Sequence, residues 1–204
     1  MSFNIEDFKA RGIKNHGARP SLFEVIMTFP AGIGTGFGGG TGVEEGGRFV
    51  IQASQLPASL IDEVRVPYFG RFIKVFGNRA YQDWSVTVLN DNDMPLRQAF
   101  EEWHNEINFI ERNRLSEAVA GSIAAGAAPG QTYKQDLRVR QYRPEGPDSE
   151  AGISREYIIV GAFPTAVNAI NLAWDDVNRI EQFDVTFSYD YWLIGQTSTG
   201  TLVP

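Results

Sequence analysis

The stretch that decides the fold class is residues 77–93, GNRAYQDWSVTVLNDND. Within it, residues 84–89 alternate between a large apolar series (Trp, Val, Val) and a second series (Ser, Thr, Leu), which is the period of a strand with one buried face. The Asn and Asp side chains of residues 90–93 bond to nearby backbone groups and therefore favour a turn or a helix start. We interpret Gly77–Asn78 as a turn that joins this strand to another at residues 71–76.

A second stretch, residues 163–192, repeats the same alternation. One face of it is aromatic and apolar, with Phe183, Val185, Phe187, Tyr189 and Tyr191, while the other face is polar. Further strands are predicted at residues 22–29, 48–53, 133–142, 156–163, 167–173 and 180–192. Residues 55–68, with two prolines and scattered apolar residues, are predicted to leave the core as an extended excursion.

The sequence predicts one helix at about residues 94–112, with Asp93 as the N-cap and Pro95 in the first turn. Its apolar stripe should pack against the outside of the sheet, and it consists of Leu96, Phe100, Trp103, Ile107 and Ile110. Many strands and one helix predict a mainly β fold, a β-sandwich or barrel subunit with one flanking α-helix. We expect one domain over residues 1–204.

Glycine- and alanine-rich segments interrupt this pattern. We interpret residues 31–47 and 115–131 as flexible insertions, and residues 144–155 and the C-terminal tail 193–204 as mobile.

The chain is acidic, with 18 basic and 25 acidic residues and a net charge of −7. This balance disfavours a protein that holds nucleic acid through its phosphates. We interpret Arg138, Arg140 and Arg143 as surface or subunit-contact residues. The chain has no cysteine, which excludes disulfides and thiolate metal sites. No run approaches the ~18 apolar residues of a membrane span, so we expect none.

Possible catalytic and binding motifs are weak. Residues 34–39 match a G-x-G-x-x-G pattern, but no helix follows that could bind a pyrophosphate. Glu101 and His104 have the spacing of a di-iron ligand pair without a second copy, and both are expected to be solvated. Asp91 and Asp93 resemble the start of a calcium loop that lacks its glycine.

The remaining candidates favour structure over chemistry. Asp175–Asp176 is typical of a turn between strands. Core or interface packing is expected for the four tryptophans, because base stacking would need interleaved basic residues. There is no G-x-S-x-G motif and no good Ser-His-Asp set. We therefore expect neither an enzyme nor a cofactor.

A resemblance to a known family runs in order from about residue 17 to residue 192. The matching motifs include Ala18-Arg19-Pro20, Leu56-Pro57-Ala58, Gly77-Asn78-Arg79, Asp83-Trp84-Ser85-Val86-Thr87-Val88, Arg140-Gln141-Tyr142, Leu172-Ala173-Trp174-Asp175 and Asp190-Tyr191-Trp192. On these residues the chain resembles the tail tube proteins of contractile-tailed, myovirus-type bacteriophages. The two insertions, 31–47 and 115–131, depart from the family pattern.

The resemblance implies a structural virion protein. Such subunits form hexameric rings with a ring-shaped β-barrel lumen, and the rings stack into the inner tail tube. The tube is the template for the contractile sheath and the conduit for DNA ejection. The implied partners are further copies of the chain, the tail sheath protein, the baseplate or tube initiator, the tape measure and tail terminator proteins, and genomic DNA that passes without specific binding. The implied location is the virion tail, assembled in the host cytoplasm.

Two groups of candidate site residues follow from this resemblance. The predicted inter-ring contact consists of Leu56, Pro57, Leu60, Ile61, Val64, Val66 and Tyr68. The predicted lumen-facing residues are Asp184 and Asp190. Two alternatives remain open: the tube protein of a type VI secretion or related contractile injection system, and a lipocalin-like barrel that binds small molecules.

Overall fold

The computed structural model describes residues 17–30, 33, 50–111, 114–116, 132–144, 152–175 and 177–197. The predicted insertion 31–47, apart from Ile33, lies outside the described residues, as do residues 117–131 of the second insertion and residues 198–204 of the predicted tail. Residues 193–197 of that tail belong to a strand, so this part of the prediction was wrong.

The described part of the chain is mainly β, as predicted. The strands are β1 (Phe23–Ile26), β2 (Ile51–Ser54), β3 (Ser59–Tyr68), β4 (Arg71–Tyr81), β5 (Trp84–Leu89), β6 (Asn108–Phe109), β7 (Arg114–Leu115), β8 (Gln135–Tyr142), β9 (Ile153–Val167), β10 (Gln182–Ser188) and β11 (Tyr191–Thr197). Helix α1 (Pro95–Ile107) follows β5.

Strand β9 connects the two halves of the main antiparallel sheet. The order is β1-β8-β9-β10-β5-β2, and β11 also pairs with β9. The first part of β9 pairs with β8 and β11, while residues 163–167 pair with β10. Between these parts Gly161 has a φ of 67°, which favours glycine and lets the strand change direction. Both halves contribute side chains to one hydrophobic core.

The centre of the core is formed by β5, β10 and α1. Phe187 contacts three aromatic rings, with centroid distances of 5.4 Å to Trp84, 5.9 Å to Phe100 and 6.2 Å to Trp103. The alternation predicted for β5 and for residues 183–189 is confirmed, since the predicted apolar face is buried. Tyr191 is the exception, because it lies beyond the break between β10 and β11 and is exposed.

The helix packs on the sheet as predicted but is shorter than expected. Leu96, Phe100 and Trp103 are buried, whereas Ile110 lies beyond the helix end at Ile107 and is exposed. The N-cap is Met94 rather than Asp93, with a left-handed backbone (φ 48°) and no side-chain capping hydrogen bond.

Three other boundaries were predicted wrongly. Gly77–Asn78 is not a turn: it lies inside β4, next to a register shift, and a Cβ on Gly77 would approach the Asp62 carbonyl oxygen at 2.9 Å. Residues 153–167 form one strand, and residues 168–173 form none. The predicted strand 180–192 is two strands, β10 and β11.

Candidate assembly surface

Among the strands that the structure describes, β3 and β4 pair only with each other, and they form a hairpin outside the core. Phe69 (φ 41°) and Gly70 (φ 78°) form its turn, the left-handed pair typical of a tight hairpin. Ten large apolar side chains on this hairpin are between 44% and 91% exposed: Leu60, Ile61, Val64, Val66, Tyr68, Phe69, Phe72, Ile73, Val75 and Phe76. A two-stranded hairpin without a covering layer is marginally stable in water.

The register places four β-branched residues of the hairpin on one face. Val64 lies opposite Val75 and Val66 lies opposite Ile73, and directly opposed residues share a face of the sheet. Leu60 has the same parity as Val64 in β3 and extends this face. We call this set, Leu60, Val64, Val66, Ile73 and Val75, the apolar face of the hairpin.

The opposite face carries a small charge cluster. Glu63 accepts a hydrogen bond from Arg65 Nε at 2.7 Å and pairs with Lys74 Nζ at 2.7 Å. These two cations, Lys74 more than Arg65, hold the pKa of Glu63 below its usual value. Arg71 and Arg79 make no ion pair in the part of the chain that the structure describes.

Side chains of the core fix the base of the hairpin. Trp84 Nε1 donates a hydrogen bond to the Gln55 carbonyl oxygen at 2.6 Å. Tyr189 Oη and Trp192 Nε1 both lie 3.4 Å from the Ala58 carbonyl oxygen. The excursion predicted for residues 55–68 is therefore the first strand of a hairpin that projects from a fixed base.

The predicted inter-ring residues are not equivalent in the structure. Leu56, Leu60, Ile61, Val64, Val66 and Tyr68 are all exposed, whereas Pro57 is buried within the subunit. By its position in the register Ile61 lies on the face opposite to that of Leu60. Phe72, Ile73, Val75 and Phe76 were not among the predicted residues, although their alternation was visible in the sequence.

A second exposed apolar segment connects β9 to β10. We call residues 168–181 the β9–β10 connection. Four of its large side chains are exposed, and Trp174 is fully so: Leu172, Trp174, Val177 and Ile180. Arg97 Nη1 donates to the Asn168 carbonyl at 2.6 Å, and Asn90 N donates to the Glu181 carbonyl at 2.9 Å. Both ends of the connection are therefore fixed on the core.

The outer face of β5 and β10 carries small polar side chains. It includes Ser85, Thr87, Asp184, Thr186 and Ser188, all partly buried and none of them cationic. Thr87 Oγ1 donates a hydrogen bond to Asp184 Oδ1 at 2.6 Å across the two strands. Asp184, one of the two predicted lumen residues, thus lies on a strand face without lysine or arginine, although Arg179 of the β9–β10 connection lines the same depression as Asp184.

Asp190, the other predicted lumen residue, has a different environment. It follows β10, and its carboxylate oxygens lie 2.7 and 2.8 Å from Lys134 Nζ. The charge of Asp190 is therefore largely compensated within the subunit, unlike that of Asp184.

The arginines of β8 take part in an ion-pair network. Arg140 Nε donates to Glu156 Oε1 at 2.8 Å, and Arg138 Nη1 lies 4.0 Å from the same oxygen. Glu156 is 4% exposed, and a Cβ at position 195 would come within 2.6 Å of its Oε2, so a side chain there would have to displace the carboxylate. This network balances charge inside the subunit.

The candidate metal ligands do not form a site. No group of three His, Asp or Glu side chains in the described ranges could hold a metal ion. Glu101 is exposed and pairs with Arg97 at 2.6 Å. His104 is half-buried rather than solvated as expected, and burial lowers its pKa despite a hydrogen bond with the Pro164 backbone. None of the helices described is long and apolar enough to cross a membrane.

Comparison with known proteins identifies the family. The family model for "Phage tail tube protein" matches residues 18–195. The tail tube protein gp19 of Enterobacteria phage T4 is 33% identical over 175 residues, which cover 86% of this chain and 90% of the relative.

Two solved structures share the fold at low sequence identity. The tube terminating cap of the anti-feeding prophage has a TM-score of 0.59 at 16% identity, and the match covers 97% of this chain and 99% of that one. A chain of the sheath-tube complex of an extracellular contractile injection system, PVC, has a TM-score of 0.51 at 14% identity, with 95% and 99% covered. The family match over almost the whole described chain and the identity to gp19 together show that the chain belongs to the phage tail tube protein family.

Proposed function

We propose that this chain is the subunit of the inner tail tube of a contractile-tailed phage, where it forms hexameric rings that stack into a hollow tube. The observation that carries the proposal is the β3–β4 hairpin, a large apolar surface that the described part of the subunit leaves uncovered. The family is structural, and the chain is not an enzyme.

The hairpin is proposed to contact the adjacent ring. Its exposed predicted residues, Leu56, Leu60, Ile61, Val64, Val66 and Tyr68, supply apolar area that association would remove from water, at about 25 cal/mol per Å². A head-to-tail contact between rings does not close on itself and therefore produces a filament.

Within a ring, the subunits are proposed to join through their sheet edges. In the main sheet β1 and β2 are edge strands, and each has one side free of a partner strand in the described chain. Unpaired edges promote aggregation unless they are covered, and pairing within a closed ring covers them.

The cation-free outer face of β5 and β10 is proposed to line the lumen. A wall with hydroxyl groups and the Asp184 carboxylate offers no lysine or arginine to bind a phosphate. Like charge repels the DNA backbone, so DNA would slide along this wall. Asp190 contributes less negative potential because Lys134 compensates it.

The proposed partners follow from this role. The tube would be the template for the sheath protein and would contact the baseplate or initiator, the tape measure and the terminator proteins. It would assemble in the host cytoplasm and conduct DNA from the virion. The alternative, a tube of a contractile injection system, is supported by fold similarity alone, whereas the 33% identity to gp19 favours the phage tail.

Negative-stain electron microscopy over a concentration series tests the proposal. The expected result is stacked hollow rings, or discrete rings of six 22.7-kDa subunits, about 136 kDa. A monomer at every concentration that binds a hydrophobic probe in a defined pocket would favour the small-molecule barrel instead.

A paired variant identifies the ring contact. Leu56→Asp with Ile61→Asp, or Val64→Asp with Val66→Asp, should prevent stacking while the subunit stays folded, because these side chains are exposed in the subunit. Thr186→Asp, on the outer face of β10, is the matched control that should leave stacking intact. Unchanged tube length in both hairpin variants would refute the proposed contact.

A further inference from the structure

We propose that the β3–β4 hairpin of one subunit binds the β9–β10 connection, residues 168–181, of a subunit in the adjacent ring. This inference rests on the proposed stacking and names the surface that receives the hairpin. The occupant is therefore a second copy of the same chain.

The two surfaces lie at opposite ends of the same pair of strands. Trp84, at the start of β5 next to the hairpin, pairs with Phe187, and Leu89, at the end of β5, pairs with Gln182, the first residue after the connection. Five residue steps at about 3.4 Å separate these ends by about 17 Å. Because a subunit carries the hairpin at one end and the connection at the other, repeated pairing of the two builds an open-ended stack.

The two surfaces are complementary in charge. Residues 59–81 contain four basic and two acidic residues, a net charge of +2, while residues 168–181 contain three acidic residues and one arginine, a net charge of −2. Two of the basic residues, Arg71 and Arg79, have no ion-pair partner in the described part of their own subunit. Asp175 of the connection is exposed and follows Trp174, and it is a suitable partner for Arg71 at the hairpin turn.

The shape of the connection also suits the hairpin. It borders a depression of about 580 Å³ whose lining combines apolar residues such as Ile170 and Trp174 with polar ones such as Asn171 and Glu181. The hairpin turn presents aromatic rings, with Phe69 91% and Phe72 69% exposed. Buried aromatic side chains at the centre of an interface contribute most of its binding energy. The tip of the hairpin would therefore enter this depression beside Trp174.

Site-specific photo-crosslinking tests the contact. Benzoylphenylalanine replaces Trp174 in the full chain, the protein is assembled and irradiated, and crosslinked peptides are identified by mass spectrometry. The expected partner is a peptide within residues 59–81 of another copy. The same probe in place of Ile110, which is also exposed but lies beyond α1, is the matched control and should not crosslink to the hairpin.

A charge exchange provides a second, independent measurement. Arg71→Glu with Arg79→Glu should raise the protein concentration needed for stacking by at least about tenfold, since like charges would then face each other. Adding Asp175→Arg to the same chain should restore much of the loss.

The outcomes distinguish the proposed tube function from the proposed contact between the hairpin and the β9–β10 connection. Tubes whose Trp174 probe crosslinks only to residues outside 59–81 overturn this inference and leave the tube function standing. If the probe at Trp174 blocks assembly, the crosslink is measured with the probe at Leu172 instead. A mixture of probe-carrying and wild-type subunits is a second route to the same measurement. Wild-type protein that forms neither rings nor tubes at any concentration overturns the proposed function, and this inference with it.

Discussion

Strands β5 and β10 and the hairpin strands β3 and β4 have similar sequence patterns and opposite environments. In β5 and β10 the alternating apolar residues, such as Val88 and Phe187, are at most 2% exposed. In the hairpin, residues of the same kinds are 44% exposed or more. Alternation therefore indicates that a strand has an apolar face, but it does not tell whether the same subunit or a neighbouring one covers that face.

The largest difference in stability between the two regions is expected for a core aromatic residue. Phe187→Ala should lower the free energy of unfolding of the subunit by about 3–5 kcal/mol, because it leaves a cavity among Trp84, Phe100 and Trp103. Urea denaturation of dispersed subunits measures this. Phe72→Ala in the hairpin is the matched control and should change subunit stability by less than about 0.5 kcal/mol. Equal losses for the two variants would remove the distinction between the regions.

A smaller difference is expected between two carboxylates. Glu156→Ala should cost about 2 kcal/mol, because it leaves Arg140 without its closest partner in a partly desolvated network. Glu63→Ala removes an exposed, solvent-screened ion pair of the hairpin and should cost clearly less than Glu156→Ala. Thermal unfolding of the dispersed subunit measures both, and a larger loss for Glu63 would contradict the account.

The smallest effect is a pH dependence confined to the hairpin. The folded-state pKa of Glu63 is lowered, so its contribution to stability is present above the unfolded pKa and is lost as the pH falls through the folded pKa. An NMR titration of the side-chain carboxyl should therefore give a midpoint below 4.5, its ordinary value. Lys74→Met removes the larger cause and should raise that midpoint, whereas a midpoint that does not move would refute the assignment.

The sequence predicted the buried strands and the helix because their periods are strong. Trp84–Leu89 and the face of residues 183–189 were assigned correctly, and so was the packing of Leu96, Phe100 and Trp103. The helix start was misassigned because Met94 adopts a left-handed conformation that no local residue preference suggests.

The candidate site was predicted only in part. Gly77–Asn78 has the composition of a turn, yet the glycine is needed because β3 passes within 2.9 Å of where a Cβ would lie. The real turn, Phe69–Gly70, uses a phenylalanine at positive φ, which is uncommon. A strand was predicted at residues 71–76, but it was joined to residues 84–89 through the supposed turn, so its pairing with residues 59–68 was missed. The exposure of Trp174 could not be predicted, because exposure depends on tertiary packing.

Hydrogen exchange, compared residue by residue between dispersed subunits and assembled protein, tests the central claim most directly. A projecting hairpin opens readily, and burial against a second copy suppresses that opening. We expect assembly to slow exchange strongly in residues 59–81 and to leave the amides of β5 and β10 almost unchanged. Strong protection elsewhere, with the hairpin exchanging as fast as in the free subunit, would contradict it.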